Sequence, residues 1–355
     1  MRHWEEIPKN KIPQDFKSQL SLSIIIVARN EEENIVDCIN SILINKFPTD
    51  QYEIIVVDDH SDDKTAELVQ SINNGNIKLL SLAEYVSKRK VNAFKKEAIR
   101  YALEHAQFDY ILHTDADCIV PPNWLSQTAF NFENKIELQA APIGFLSHQS
   151  FLHWFQQLDM FTLMASTNAG IRSANWYLAN GANLAYKLSS LPANIYEESD
   201  QYASGDDVFL INKLAEKKDS KIIFEPSILV KTKAVDRYTH FFNQRIRWAG
   251  KNKSLAKGKM KNILLIPVLA NLWIFVLLFY SIFDFKLGLT SLLFYCMIKW
   301  MIDYVILHYM QNQLNPHQKN QHFLLASICY PFYILGVGIV SLFTKSYLWK
   351  ARRVH

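Results

Sequence analysis

Two aspartates separated by one residue, Asp115 and Asp117, form an acidic motif suited to binding a metal ion. They follow a predicted strand at 109–113 and precede Pro121-Pro122, so they fall on a turn at the end of that strand. Mg²⁺ and Mn²⁺ accept a few carboxylates together with phosphate oxygens, and two carboxylates on one turn can hold such a cation. Because this spacing also arises by chance, a solvated acidic turn is the alternative.

A second acidic pair, Asp58 and Asp59, ends another predicted strand. Carboxylates at this position could accept hydrogen bonds from a ligand. The alternative is structural, because aspartate favours turns and Asp62 or Asp63 could cap the following helix.

A third motif occupies residues 244–248 and reads QRIRW. On a helix Gln244, Arg247 and Trp248 lie at i, i+3 and i+4 and share one face. That face offers an amide, a guanidinium that can bind phosphate through two hydrogen bonds, and an indole that can pack on a sugar ring or face lipid. The alternative is a basic amphipathic helix at a membrane surface.

The apolar pattern of the first 250 residues alternates between strand and helix. Continuous β-branched runs are typical of strands buried on both faces, and the first intervening helix could be capped by Asn30, with Glu31–Glu33 in its first turn. This order predicts an α/β fold with a mostly parallel sheet, in which ligands bind beyond the carboxyl ends of the strands. The strands are predicted at residues 22–27, 53–57, 77–80 and 109–113.

Common nucleotide-binding motifs are missing from the sequence. No GxGxxG follows the first predicted strand and no GxxxxGK[ST] occurs, which disfavours a dinucleotide-binding Rossmann site and a P-loop. A nucleotide site would therefore depend on carboxylates and a metal.

The last third of the chain is apolar. Each of the runs Ile263–Phe283, Leu287–His308 and Phe323–Phe343 could cross a hydrocarbon core of about 30 Å. Buried helices of a soluble all-α domain are the alternative. Lysines at 251–261 favour a cytosolic start to the first run, but the basic residues at 345–353 favour the same side, which three crossings would not allow. We expect two or three spans.

Composition supports a folded, membrane-associated protein. The 355 residues include 49% hydrophobic ones, which excludes a disordered chain, and the net charge of +4 is too small to indicate nucleic-acid binding. Four cysteines without a CxxC pair disfavour a disulfide framework or a cysteine-built zinc site. The polar N-terminus does not resemble a signal peptide, so residues 1–250 are expected in the cytoplasm, beneath a membrane crossed more than once, such as a bacterial inner membrane.

Taken in order, the motifs between residues 21 and 250 resemble those of a family 2 glycosyltransferase with a GT-A catalytic domain. The similar type is membrane-bound and related to cellulose, chitin, hyaluronan and ceramide-glucosyl synthases. Two departures are Arg89, where the family usually has glycine, and Asp206, where it often has glutamate. The resembling segments are LSIIIVARNEEEN at 22–34, VVDDHS at 56–61, KVNA at 90–93, TDADC at 114–118, NGAN at 180–183, GDDVFL at 205–210 and QRIRW at 244–248.

The resemblance implies a role for each donor-side position. Asp58 and Asp59 would contact the base and ribose of a UDP-sugar, Ala28 and Glu31 would shape that pocket, and Lys90 would add a nucleotide contact.

The resemblance also implies the catalytic groups. Asp115 would face the ribose or donor sugar and join Asp117, the principal ligand, in binding Mg²⁺ or Mn²⁺. Asp207 would be the general base of an inverting transfer. Arg247 and the metal would stabilise the leaving diphosphate.

On the acceptor side, the resemblance implies that Gly181, Asp206, Gln244 and Trp248 line the acceptor or product site. At most three spans cannot enclose a polymer channel in one chain, so we expect a single transfer to a membrane-resident lipid or lipid-linked acceptor. Polysaccharide synthesis, by an oligomer or with a partner, is the alternative, and a catalytically silent membrane scaffold is a third reading. The sequence leaves the sugar, the acceptor and the oligomeric state open.

The predicted organisation has five parts. They are a polar leader at 1–20, the GT-A domain at 21–250, a basic linker at 251–262, the transmembrane region at 263–343 and a basic tail at 344–355.

Overall fold

The computed structural model divides into two compact units. The first comprises Met1–Leu146, Thr167–Lys233 and Leu348–His355, and the second comprises Ser147–Ser166 and Ala234–Tyr347. The described residues are 12–86, 93–146, 150–192, 195, 205–217, 219–255, 259–315, 322–344, 347–349 and 352–354.

The first unit is built on a seven-stranded sheet with the order β3-β2-β1-β4-β8-β6-β9. A smaller sheet has the order β5-β10-β7. The strands are β1 (Leu22–Ala28), β2 (Tyr52–Asp58), β3 (Ile77–Ser81), β4 (Tyr110–Asp115), β5 (Cys118–Ile119), β6 (Leu138–Ala140), β7 (Ile143–Phe145), β8 (Leu184–Lys187), β9 (Ile222–Phe224) and β10 (Val230–Thr232), with β11 (Tyr347–Trp349) and β12 (Arg352–Val354) near the end of the chain.

Parallel pairing dominates the large sheet, as the sequence predicted. The pairs β1–β2, β1–β4, β2–β3 and β6–β9 are parallel, whereas β8 runs antiparallel to both β4 and β6. The interior strand β1 is buried along almost its whole length, which explains why its sequence is apolar at consecutive positions instead of alternate ones.

Helices pack their apolar residues against this sheet. In α1 the buried side chains include Ile35, Cys38, Ile39 and Ile42, which share one face of the helix. The helices of the first unit are α1 (Ile35–Leu43), α2 (Thr65–Ser71), α3 (Leu82–Val86), α4 (Phe94–His105), α5 (Trp124–Glu133) and α7 (Asp206–Glu216), and α6 (Phe151–Ser173) has residues in both units.

The predicted start of α1 is wrong. Helix α1 begins at Ile35 after the N-cap Asn34, so Glu31–Glu33 precede the helix. Asn30 has a φ of 50°, and its side-chain oxygen accepts a hydrogen bond from the backbone N–H of Asp62 at 3.0 Å. Asn30 therefore ties the loop after β1 to the loop after β2 instead of capping a helix.

The second unit is helical in the part that the structure describes. Its long helices are α8 (Tyr238–Leu255), α9 (Lys259–Tyr280), α10 (Phe285–Leu314) and α11 (Phe323–Phe343), together with the first part of α6.

Three of these helices are long and apolar enough to cross a membrane. These segments are Lys261–Tyr280, Phe285–Leu314 and Phe323–Phe343. The third matches the predicted run, whereas the second, with 30 residues, is longer than the apolar run Leu287–His308. It is longer because the helix begins at Phe285 and continues past His308 to Leu314.

Candidate active site

The parallel register brings the acidic motifs of the first unit to one edge of the sheet. Asp58 lies opposite Ala28 in the β1–β2 pair, and Asp115 lies opposite Val27 in the β1–β4 pair. Each carboxylate thus stands at the carboxyl end of a strand beside β1, where open α/β sheets bind their ligands.

Asp58 and Asp59 differ in what they offer a ligand. The Oδ2 of Asp58 accepts a long hydrogen bond from the Ser61 N–H at 3.3 Å, while its buried Oδ1 has no hydrogen-bond partner among the described residues. Asp59 is fully buried, and its Oδ1 lies 2.9 Å from Nδ1 of His60. In this conformation Asp58 retains an acceptor to satisfy, whereas Asp59 holds the loop together.

Glu31 occupies the loop after β1. Its Oε2 accepts a hydrogen bond from the Asn34 side chain at 2.7 Å, and its backbone N–H donates to Oγ1 of Thr65 at 2.8 Å. Ala28, the last residue of β1, is fully buried, and its carbonyl accepts from the Asp59 N–H at 2.8 Å. These contacts fix the positions of Ala28 and Glu31, which were predicted to shape the nucleotide pocket.

Asp115 forms an ion pair with Lys95, which the sequence analysis did not single out. The Lys95 Nζ lies 2.7 Å from Oδ1 of Asp115, and both side chains are 39% exposed. Lys95 is in the first turn of α4. Nothing in the sequence distinguishes it from Lys96, which is buried, because the helical register alone decides which lysine points to the sheet edge.

Asp117 is held on the turn between β4 and β5. Its Oδ2 accepts a hydrogen bond from Oγ1 of Thr232 at 3.1 Å, and Thr232 lies opposite Cys118 in the β5–β10 pair. Burial, followed by the negative charges of Asp115 and Glu31, raises the pKa of the Asp117 carboxyl. Thr232 was also missed by the sequence analysis, because only the β5–β10 pairing places it beside the acidic motif.

These carboxylates fit a divalent cation by their chemistry. The like charges of Asp115, Asp117 and Glu31 repel one another, which is the condition that a bound cation relieves. Among the residues that the structure describes, no group of three or more His, Cys, Asp or Glu side chains has a metal-site arrangement. A cation here would draw its remaining ligands from phosphate oxygens and water, as Mg²⁺ commonly does.

Asp207 lies at the start of α7 and is 6% exposed. Its Oδ2 accepts a hydrogen bond from the Gly181 N–H at 3.0 Å, and its Oδ1 accepts from the Val208 N–H at 2.8 Å. Gly205 precedes the helix with a φ of 100°, a left-handed conformation that glycine adopts without strain. This turn aims Asp207 at the 181 loop, and the helix N-terminus favours an ionised carboxylate.

The loop that carries Gly181 is anchored by Asn183. The Asn183 side chain donates to the carbonyls of Pro142 and Ile228, both at 2.8 Å, and accepts from the indole N–H of Trp124 at 3.0 Å. These buried hydrogen bonds fix the Gly181 N–H that contacts Asp207.

A small cavity brings several of these residues together. Its lining includes Lys95, Asp115, Gly181 and Asp207. At its base His113 lies 2.9 Å from the Tyr186 hydroxyl, and burial, together with the charge of Lys95, lowers the pKa of His113 to about 3. The imidazole is therefore neutral at ordinary pH.

The structure describes only some of the remaining predicted site residues. Gln244, Arg247 and Trp248 are half-buried on α8 in the second unit, with the helical spacing that the sequence predicted. Lys90 lies outside the described residues. Asp206 is the first residue of α7, and its side chain also lies outside what the structure describes.

Two family profiles match the chain. The profile described as "Glycosyl transferase family 2" matches residues 23–186, and the profile "Glycosyl transferase family group 2" matches residues 110–333. The second covers more than half of the chain. The chain belongs to glycosyltransferase family 2, and its first unit has the GT-A fold.

Two individual proteins that resemble this chain share less than 25% of its residues. The poly-β-1,6-N-acetyl-D-glucosamine synthase of Staphylococcus aureus is 24% identical over 291 residues, which is 76% of this chain and 67% of that enzyme. The solved structure of a mannosyltransferase from Pyrobaculum calidifontis, in complex with GDP-mannose and Mn²⁺, has a TM-score of 0.55 at 15% identity and covers 97% of this chain and 93% of its own.

Proposed function

We propose that this protein transfers a sugar, with inversion, from a nucleotide-diphosphate donor to a hydroxyl of a membrane-associated acceptor. The observation that carries the proposal is the position of Asp207, which shares one cavity with Asp115, Lys95 and Gly181 at the carboxyl edge of the sheet. The proposed base and Asp115, one of the predicted donor-binding carboxylates, thereby line one cavity.

In the proposed reaction, Asp207 takes the proton of the acceptor hydroxyl. The acceptor oxygen forms a bond to the anomeric carbon from the face opposite the diphosphate, and the carbon–oxygen bond to the diphosphate breaks. The nucleoside diphosphate leaves with that electron pair, and the configuration at the anomeric carbon inverts. The Gly181 N–H, which donates to Oδ2, holds the carboxylate in position for this transfer.

The nucleotide contact is assigned chiefly to Asp58. Its buried Oδ1 has no hydrogen-bond partner among the described residues, and a ring N–H of uracil or guanine would satisfy it. Asp59 is assigned a supporting role through His60, because its side chain is fully buried. A UDP-sugar is the first donor to test and a GDP-sugar the second, as the mannosyltransferase structure contains GDP-mannose.

Asp115 and Asp117 would hold Mg²⁺ or Mn²⁺, which would neutralise charge on the leaving diphosphate. Support comes from the pKa of Asp117, which is raised first by burial and then by the negative charge of Asp115. Arg247 is proposed to contact the same leaving group. Lys95, which pairs with Asp115 here, is proposed to add positive charge near that group when Asp115 binds the metal ion instead.

The acceptor is proposed to be a lipid or lipid-linked molecule. Three helices that could span a membrane follow the catalytic unit, and Gly181, Asp206, Gln244 and Trp248 are the proposed acceptor-side residues. Under this proposal residues 1–250 lie on the cytoplasmic side, because lysines at 251–261 flank the first span. Polysaccharide synthesis is the second candidate, favoured by the 24% identity to a poly-N-acetylglucosamine synthase.

Membranes that contain the protein would be incubated with radiolabelled UDP- and GDP-sugars and then separated into lipid extract and insoluble polymer. Label in the lipid extract supports a single transfer, and label in the polymer supports the second candidate. Membranes that contain Asp207→Asn serve as the matched control and should show neither. No label above this control from any donor would overturn the proposed function.

A further inference from the structure

A buried ion pair joins two helices of the second unit. Asp159 of α6 accepts a hydrogen bond at Oδ2 from Nε of Arg245 in α8 at 2.8 Å. The Arg245 side chain is 3% exposed and that of Asp159 is 15% exposed. A charge buried as deeply as that of Arg245 is stable in a folded protein only when it is paired, so the carboxylate of Asp159 fixes the position of the guanidinium.

Arg245 also contacts two residues of the QRIRW motif. Its Nη1 donates to Oε1 of Gln244 at 2.6 Å, and its guanidinium lies over the indole of Trp248, with Cζ 4.2 Å from the ring centroid. One planar group thus orients both the amide and the aromatic ring of the motif.

A candidate membrane helix completes the arrangement. The hydroxyls of Tyr333 and Tyr330, both in α11, approach Asp159 at 3.1 Å to Oδ2 and 3.5 Å to Oδ1. Tyr333 also stacks on Phe241, with ring centroids 5.3 Å apart, and Phe241 lies beneath the guanidinium of Arg245. The carboxylate of Asp159 therefore receives donors from both α8 and α11.

We propose that Arg245 and Asp159 are positioning residues for Gln244 and Trp248, and that α11 holds them in place through Tyr333 and Tyr330. The proposal rests on the proposed function, in which the motif acts in sugar transfer. Through this network a membrane helix sets the orientation of motif side chains, without itself contacting the substrate.

Arg245→Lys is the most informative change. Lysine keeps the positive charge beside Asp159, but its single ammonium cannot reproduce a planar fork that donates to Asp159 and Gln244 and covers Trp248. We expect transfer to fall by about 10- to 100-fold, the scale of a misplacement near 1 Å. Nucleotide affinity should stay within about twofold, because Arg245 is proposed to position Gln244 and Trp248 on the acceptor side and not the residues assigned to the nucleotide.

A double-mutant cycle separates positioning from general destabilisation. If Arg245 acts through Gln244 and Trp248, Arg245→Lys should lower transfer less in the Gln244→Ala background than in the parent protein, because only its effect through Trp248 remains. Losses that simply multiply would overturn the proposal.

Tyr333→Phe removes one hydroxyl from the network and should lower transfer by about three- to tenfold, the scale of the net contribution of one ordinary hydrogen bond. Tyr295→Phe is the matched control, because the Tyr295 hydroxyl of α10 donates to the Ala270 carbonyl at 2.8 Å and does not contact the network. Equal effects of the two substitutions would overturn the role of α11.

A spectroscopic measurement keeps the test independent of activity. The full chain would be produced with 5-fluorotryptophan, and its ¹⁹F NMR spectrum would be recorded in detergent. The Trp248 resonance would be identified as the one that Trp248→Phe removes. Arg245→Lys and Tyr333→Phe should each shift that ¹⁹F resonance, and Tyr295→Phe should not. An unshifted resonance would overturn the inference, whereas shifts in a protein without transfer activity would leave it standing and count only against the proposed function.

Discussion

The sheet edge of the first unit and the buried ion pair of the second arrange their charges in opposite ways. At the edge, Asp115 and Asp117 repel each other and Asp58 has a buried oxygen without a hydrogen-bond partner among the described residues. In the second unit, Asp159 receives a guanidinium and two tyrosine hydroxyls. The first arrangement suits a site that a ligand completes, and the second suits a site that holds neighbouring side chains in place.

Substitutions in these two regions should affect activity and stability to different degrees. Removing a group at the sheet edge should change activity more than stability, because the surrounding protein does not depend on that group. Removing a buried side chain that neither binds a ligand nor positions a group that does should do the reverse.

The largest expected effect is that of Asp207→Asn. The amide keeps the shape of the carboxylate but cannot take the acceptor proton, so transfer should fall by about 10²–10⁴-fold, with nucleotide affinity barely changed. Initial rates and nucleotide titrations on the same preparation would measure both.

Asp206→Asn tests the choice between the two neighbouring aspartates. Near-normal turnover in Asp207→Asn together with an inactive Asp206→Asn would move the base by one residue. Activity in both variants would contradict a general-base mechanism.

The next largest effect concerns the metal. Asp117→Ala, or EDTA added to the unaltered protein, should abolish Mn²⁺- or Mg²⁺-dependent binding of the nucleotide-sugar, since the diphosphate would then face Asp115 without a cation. Calorimetric titration with and without the metal would detect this loss. The exposed Asp50 provides the control, and Asp50→Ala should bind as the parent does. Undiminished activity in EDTA would contradict the proposal that Asp115 and Asp117 bind a catalytic metal ion.

The two units should also differ in how much a truncated apolar side chain lowers the free energy of unfolding. Ile26 is fully buried in β1, whereas Leu269 in α9 is 52% exposed. Ile26→Ala should lower the free energy of unfolding by about 2–5 kcal/mol through the cavity it leaves. Leu269→Ala should cost less than about 0.5 kcal/mol, because its side chain is not enclosed. Thermal unfolding in detergent would compare them, and similar costs would contradict this difference in packing.

The smallest effect concerns Glu137, a paired surface group far from any proposed chemistry. Burial works against its ionisation, but hydrogen bonds from Lys217, Ser190 and the Lys221 N–H lower the pKa of Glu137 below its usual 4.5. Ionised Glu137 therefore stabilises the fold above that value, and the contribution disappears as the pH falls through the lowered pKa.

Glu137→Gln should cost about 0.2–1 kcal/mol at pH 7, because Lys217 is 53% exposed and the pair is screened by solvent. The melting temperatures of variant and parent should differ at pH 7, and the difference should shrink as the pH falls through the lowered pKa of Glu137. A constant difference would show that packing, and not charge, is responsible.

Much of the site could be predicted because strand ends are readable from local sequence. Buried parallel strands require continuous apolar runs, so the residues after each run had to meet at one edge of the sheet. The role of Asn30 was harder to predict, because Asn favours both helix caps and left-handed turns. Its hydrogen bond to the Asp62 N–H decides between them, and that partner lies 32 residues away.

The sequence by itself determined the α/β class, the three apolar helices and the order of the acidic motifs, because each follows from hydrophobic periodicity over short stretches. Only the tertiary structure decided that Lys95 rather than Lys96 meets Asp115, and that Thr232 contacts Asp117. It also decided that Arg245, which lies between the motif residues, pairs with Asp159. These contacts join residues 20 to 115 positions apart, so they depend on how helices and strands pack and not on local spacing.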